Sequence, residues 1–193
     1  MRHNFVTTQR KTFVALGANL QLSCSTPAET LTKALDRLHD SPLEVTAKSR
    51  LFKTPCFPAG AGPDYVNSVV QLEGDLQPGQ VLALLHAIEA EFGRHRVQRW
   101  GSRTLDLDLL ALDDAVLPDR NTFERWHDLP VVEQPKTAPD QLILPHPRMH
   151  ERAFVLVPML DIAPDWPHPV LGVTVREMVA ALPKADVEAV IPL

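Results

Sequence analysis

Residues 99–110 read RWGSRTLDLDLL, and two of them, Asp106 and Asp108, are carboxylates separated by one leucine. In an extended strand, residues two apart project from one face. The two carboxylates therefore point together, while Leu105, Leu107 and Leu109 point the other way. Aspartate is disfavoured in strands, and neighbouring like charges repel unless a cation lies between them. Paired hard oxygen ligands with open positions suit Mg²⁺, and through it phosphate. The alternative is a pair of solvated carboxylates bridged to Arg99 and Arg103, an arrangement that contributes little. The preceding loop favours the metal: Arg94, Arg96, Arg99 and Arg103 fall within ten residues of an otherwise acidic chain. Guanidinium forks match phosphate oxygens bidentately, so metal and arginines together point to a polyphosphate.

Other candidates are weaker. HPRMH places His146 and His150 four apart, as in a helical zinc pair, but Pro145 and Pro147 flank His146 and oppose a helix, and no third ligand is evident. LGANL is neither a Walker A sequence nor a GxGxxG fingerprint. The aromatics Phe57, Tyr65, Trp100 and Phe154 read first as core. Phe57 nevertheless lies in a Pro/Gly loop and Trp100 in the arginine loop, where burial in a core is less expected.

The elements that must position these groups follow from periodicity and punctuation. Residues 12–20 read as a strand running into a loop at Gly17 and Asn19. A helix follows, with Thr26 as N-cap, Pro27 at its first position, Glu29 three residues after the cap, and Leu31, Ala34, Leu35 and Leu38 on one face. Residues 43–54 read as one strand, 64–76 as a second strand antiparallel to it, and 77–93 as a helix stopped by Gly93. Residues 104–112 form the fourth strand. Residues 113–141 are polar and broken by Pro118, Pro130, Pro135 and Pro139, and read as an insertion dispensable for folding. Residues 152–164 suggest a helix interrupted near Pro158, and 174–182 a short helix capped by Thr174. The order is the βαββαβ, ferredoxin-like arrangement of an α+β domain, an antiparallel sheet with helices on one face, extra C-terminal elements, and its other face free for a ligand.

Composition bounds the rest. The chain has 193 residues, 45% hydrophobic and 22% charged, consistent with one domain over 1–193. A net charge of −5 argues against a nucleic-acid partner. Two cysteines, Cys24 and Cys56, give no disulfide framework. No apolar run approaches the ~20 residues that span a membrane. The expectation is a cytoplasmic protein.

The motifs LGANL, FKTPCF, DYVNSVV, RWGSRTLDLDLL, LPHPRMHERAFVLVPM and DIAP together resemble the 6-hydroxymethyl-7,8-dihydropterin pyrophosphokinase family of folate biosynthesis. The resemblance spans nearly the whole chain. It implies transfer of diphosphate from ATP to the pterin's hydroxymethyl group, with AMP released. It implies two Mg²⁺ ions on Asp106 and Asp108, ATP as co-substrate, and Arg94, Arg96 and Arg103 as catalytic arginines. The ATP side would comprise Glu89, Arg96, Trp100, Arg103, Leu109, His146 and Arg152. The pterin pocket would comprise Thr54, Pro55, Phe57, Tyr65, Asn67, Trp100 and Phe154. Partners are then small molecules, and a monomer is expected. The loops at 94–102 and 55–63 are expected to be mobile without ligand, because a reactive phosphoryl group must be shielded from water. Two other classes share features: a magnesium-dependent nucleotidyl transferase, which leaves the Thr-Pro and aromatic loop unexplained, and a nucleic-acid-binding ferredoxin-like module, whose basic balance is missing.

Overall fold

A reciprocal capping box starts the first helix. Thr26 Oγ1 accepts the Glu29 N–H, and the Glu29 carboxylate accepts the Thr26 N–H at 2.7 Å, so α1 runs Pro27–His39. The computed structural model describes residues 9–22, 25–56, 62–93, 104–130, 132–134 and 136–193. Phe57, Arg94, Arg96, Arg99, Trp100 and Arg103 lie outside these residues, as do most of the two loops expected to be mobile.

At the centre of the sheet β1 (Arg10–Ala18) pairs antiparallel with β4 (Tyr65–Gly74) on one side and β5 (Asp106–Leu112) on the other. The stretch 43–54, expected as one strand, is two: β2 (Glu44–Lys48) and β3 (Phe52–Thr54), both antiparallel to β4. A side chain causes the break. Ser49 Oγ accepts the Val69 N–H at 3.0 Å and donates to the Arg50 carbonyl at 2.7 Å, replacing regular ladder bonds. Counting β2 and β3 as one broken strand, the order across the sheet is fourth, first, third, second, the ferredoxin-like order, with β6 (Ile191–Pro192) added beyond β3.

α1 and α2 (Pro78–Glu91) cover one face. Leu31, Ala34 and Leu38 from α1 and Val81, Leu85 and Ile88 from α2 pack on Val14, Leu16, Val70, Leu72, Leu107 and Leu109 of the sheet. Gly93, with φ +75°, takes the left-handed conformation that ends α2. The opposite face is not free, in contrast to the sequence expectation. α4 (Ala153–Leu160) is apolar around its circumference and must be buried. With α5 (Val175–Ala181) it packs Val155, Leu156, Met159 and Met178 against Phe13, Val69, Leu110 and Ala111. α4 also runs past Pro158, whose missing N–H falls in the last turn and costs one bond there. Thr174 and Glu177 form a second capping box that starts α5, and α6 (Lys184–Glu188) leads into β6.

The segment 113–141 is more than an insertion. Asp119 caps α3 (Arg120–His127) by accepting the Thr122 N–H at 2.9 Å, and α3 buries Phe123 to 1% exposure. Leu117 and Leu144 exchange backbone hydrogen bonds of 2.8 and 3.1 Å, which tie the segment's start to the chain beyond its end. Among the segment's described residues the longest exposed run is 136–141. Among the described residues no helix is long and apolar enough to cross a membrane.

Candidate active site

The register of β1 assembles the site. Asp106 pairs with Gly17 across β1/β5, and Gly17 pairs with Asn67 across β1/β4. Paired residues project from the same face, so Asp106 and Asn67 share one face roughly 10 Å apart, two strand spacings. The next row is Asp108, Ala15 and Val69. Val69 belongs to the core under α4, whereas Leu107 and Leu109 belong to the core under α1 and α2. The two carboxylates therefore project together on the α4 side, both half-buried.

Gly17 is what lets the Asn67 amide lie in this row. A Cβ at residue 17 would meet Asn67 Oδ1 at 3.0 Å. Asn67 Nδ2 donates to Thr54 Oγ1 at 2.7 Å, and both residues are buried. Tyr65 pairs with Thr54 on the adjoining strand and is half-buried, while Pro55 is exposed. Sequence reading treated Gly17 only as the end of a strand. Its signal was available, because a glycine among strand residues marks a close approach of neighbouring groups.

The other side of the carboxylates is furnished by α2 and the segment after Leu144. Glu89, 2% exposed, accepts the Leu107 N–H at 2.7 Å. His146 donates its backbone N–H to the Leu110 carbonyl at 2.7 Å and accepts the Arg148 N–H on Nδ1 at 3.1 Å. Leu110 is the bulged residue of β5, since Leu109 and Ala111 pair with the consecutive Val14 and Phe13. Desolvation, and after it the charge of Arg152, push the His146 imidazole down to about 3, with Asp106 opposing both. A neutral ring with Nδ1 occupied carries its proton on Nε2. Arg152, at the start of α4, places Nη1 3.5 Å from Asp108 Oδ2 and its guanidinium carbon 5.6 Å from the centre of the Phe154 ring. Phe154, 39% exposed, presents an aromatic face at the same corner.

Asp106, Asp108, Asn67, Thr54, Glu89, His146, Arg152 and Phe154 are thus gathered around one end of β5, β1 and β4. Leu109 is the exception: its side chain lies in the α1/α2 core on the opposite face. The carboxylate pair fits Mg²⁺ by donor chemistry. Both ligands are hard oxygens, and among the described residues no group of three His, Cys, Asp or Glu forms a closed protein shell. Mg²⁺ characteristically takes one or two carboxylates and fills its remaining positions with water and phosphate.

A family model described as 7,8-dihydro-6-hydroxymethylpterin-pyrophosphokinase matches residues 13–164. The chain belongs to this family. Curated relatives of the pyrophosphokinase bear the name 2-amino-4-hydroxy-6-hydroxymethyldihydropteridine pyrophosphokinase. The Pseudomonas aeruginosa protein is 38% identical over 181 residues, 93% of this chain and 96% of its own. The Haemophilus influenzae protein is 36% identical over 79% of this chain and 81% of its own. The Synechocystis protein is 39% identical over 76% of this chain, which spans 60% of that relative's length. In three dimensions the pyrophosphokinase resembles a Plasmodium falciparum HPPK-DHPS structure with SDX-DHP, at TM-score 0.65 and 13% identity, over 92% of this chain and 45% of that one. That likeness shows the ferredoxin-like fold. Membership of the family makes the protein an ATP-dependent pyrophosphokinase.

Proposed function

We propose that the protein transfers the diphosphate of ATP to the hydroxymethyl group of 6-hydroxymethyl-7,8-dihydropterin, releasing AMP and the pterin diphosphate used for folate biosynthesis. The observation that carries this reading is the shared row of Asp106, Gly17 and Asn67, which sets a carboxylate pair beside a buried amide–hydroxyl pair. The Asn67 amide and Thr54 offer the donor and acceptor groups that the edge of a pterin requires. Phe154 and Tyr65, with Phe57 and Trp100 supplied by the loops, are suited to sandwich its flat ring, and Pro55 borders it.

On the ATP side Arg152, Arg103 and Arg96 neutralise phosphate oxygens, with Arg94 on the same loop. His146 offers its Nε2–H, Trp100 an aromatic face, and Leu109 can contribute only its backbone. Glu89 supports the strand that carries the carboxylates. Two Mg²⁺ ions on Asp106 and Asp108 would offset charge on the phosphates and favour ionisation of the attacking hydroxyl. The hydroxyl oxygen forms a bond to the β-phosphorus, and the bond between that phosphorus and the oxygen of the α-phosphate breaks, so AMP leaves. The arginines hold the groups in line and stabilise the charge that develops on the leaving side. The substrates are small molecules, and the acidic balance of the chain suits a monomeric cytoplasmic enzyme without a nucleic-acid partner.

The test is AMP release from ATP and Mg²⁺ with and without the hydroxymethylpterin. Release that depends on the pterin is expected. Pterin-independent release, or pyrophosphate in place of AMP, would overturn the reading in favour of hydrolysis or nucleotidyl transfer.

A further inference from the structure

Away from the carboxylates, three histidines from three parts of the chain meet around Phe123. His127, on α3, stacks on His150 with ring centres 4.1 Å apart and planes inclined 26°. His150 belongs to a single 3₁₀ turn, Met149–Glu151. His168, 1% exposed, lies 5.6 Å from the Phe123 ring, which is also 5.6 Å from His127. The 3₁₀ turn lies between His146 and Arg152, so the cluster grips the segment that carries both groups assigned to ATP.

Stacked imidazoles direct their in-plane lone pairs away from a common point, so this is no metal chelate. It is an arrangement that depends on protons. His168 Nδ1 accepts the N–H groups of both Val170 and Leu171 at 3.2 Å, which fixes the proton of the neutral ring on Nε2. Nε2 is buried and has no hydrogen-bond partner among the described residues. A second proton, on Nδ1, would set a donor against two donors. His127 Nδ1 lies 2.7 Å from Asp128 Oδ1, which holds the ring stacked on His150 in place.

We propose that His127, His150 and His168 form a proton-sensitive positioning element that seats residues 146–152 for ATP, tight when His150 and His168 are neutral and loosened when they are charged. The inference rests on the ATP-side assignment of His146 and Arg152. The charged groups bearing on the cluster agree with it. Burial lowers His150 most, its neighbour ring His127 adds to the decrease, Glu151 opposes it and Arg148 adds a little more. Burial first, then His150 and His127, together lower His168 to about 4.

The experiment compares wild type with the double variant His127→Phe/His150→Phe, which keeps a ring stack and removes its protons. Calorimetric affinity for a non-hydrolysable Mg–ATP analogue and the melting temperature are measured from about pH 7.5 to about pH 4, so that the window includes the charging of His168. At each pH the comparison between proteins cancels titration of the nucleotide itself. The expected result is equal affinity at the upper pH, a several-fold loss in wild type on acidification, and a markedly smaller loss in the variant. The same loss in both proteins would overturn the proposal. Ring-proton NMR of wild type is the arm that needs no variant: His150 titrating at the unperturbed value of about 6.5 would also overturn it. Wild type that binds no analogue at neutral pH overturns this proposal and the ATP assignment together. Binding that is intact without pterin-dependent AMP release overturns only the proposed reaction.

Discussion

The carboxylate of Glu89 accepts the backbone N–H of Leu107, the residue between Asp106 and Asp108, at 2.7 Å. Among the described residues β5 is the outermost strand on its side of the sheet, and none of their strands lies beside this N–H. Glu89 substitutes for the missing strand at the point where the two carboxylates must hold their spacing. Glu89→Gln keeps an acceptor in place and should unfold close to wild type. Glu89→Leu strands a buried donor and should cost about 1–3 kcal/mol. The leucine variant should also need more Mg²⁺ for half-maximal activity. Denaturant unfolding and a Mg²⁺ titration check both, and a wild-type midpoint in Glu89→Leu would remove the role.

Asp106→Asn and Asp108→Asn separate chemistry from stability. Turnover should fall by orders of magnitude in each, because each removes charge required by the metal. Asp106→Asn should leave stability unchanged or slightly higher, since two like charges side by side repel. Asp108→Asn also loses the 3.5 Å contact to the partly exposed Arg152, worth at most about 1 kcal/mol. Pterin affinity should survive in both. Near-normal turnover in either variant contradicts the metal assignment.

Gly17→Ala tests the central row. The added methyl would sit 3.0 Å from Asn67 Oδ1 and must displace the amide. The expected outcome is weaker pterin binding with little change for ATP, measured as separate affinities. Equal weakening of both would show that residue 17 acts through the sheet rather than through the amide.

The parts legible in the sequence were those whose cause is local. The Thr26–Glu29 and Thr174–Glu177 boxes mark their helices because both partners of each bond lie within four residues. The facing of Asp106 and Asp108 follows from strand alternation alone. The break at Ser49 was hidden because its cause, bonding to Val69 and contact with Ser68, lies on another strand. α3 was hidden for a similar reason: one aromatic, Phe123, supplies its buried face, and the surrounding prolines and charges dominate the pattern. Coverage of the second sheet face depends on where α4 and α5 return, which periodicity does not encode. Within the site, Asn67 and Thr54 are separated by a loop, so only the register shows that they bond.

Phe123→Ala should cost about 3–5 kcal/mol in urea unfolding, as for other fully buried aromatics. Replacing the exposed residues 136–141 by a short linker should cost far less, because loop-closure entropy changes slowly with length. An unaffected Phe123→Ala protein would show that α3 is not part of the folding unit.

Acid should destabilise the protein in a defined window. The folded values of His146 and His168 are lowered to about 3 and about 4, against about 6.5 in the unfolded chain. The unfolded chain therefore binds protons first as pH falls. Stability from these rings is complete above about pH 6.5 and is lost progressively towards the lowered values. His168→Asn, which keeps an acceptor for Val170 and Leu171, should flatten part of that decline in melting temperature. An unchanged slope would show that His168 does not contribute to it.

The bulge at Leu110 bears on how the length of this strand can vary. Leu109 and Ala111 already pair with consecutive residues of β1, so a chain lacking Leu110 would keep every neighbouring side chain on its present face and still form a regular strand. Such a shortened chain would lose the buried Leu110 side chain from the core under α4, and with it the carbonyl that moors the backbone of His146. A deletion that the strand register accepts would thus empty a place in the core and cut the nucleotide side adrift from the carboxylates. The extra residue is accommodated by the sheet and used twice, by its side chain in the core under α4 and by its carbonyl at the site.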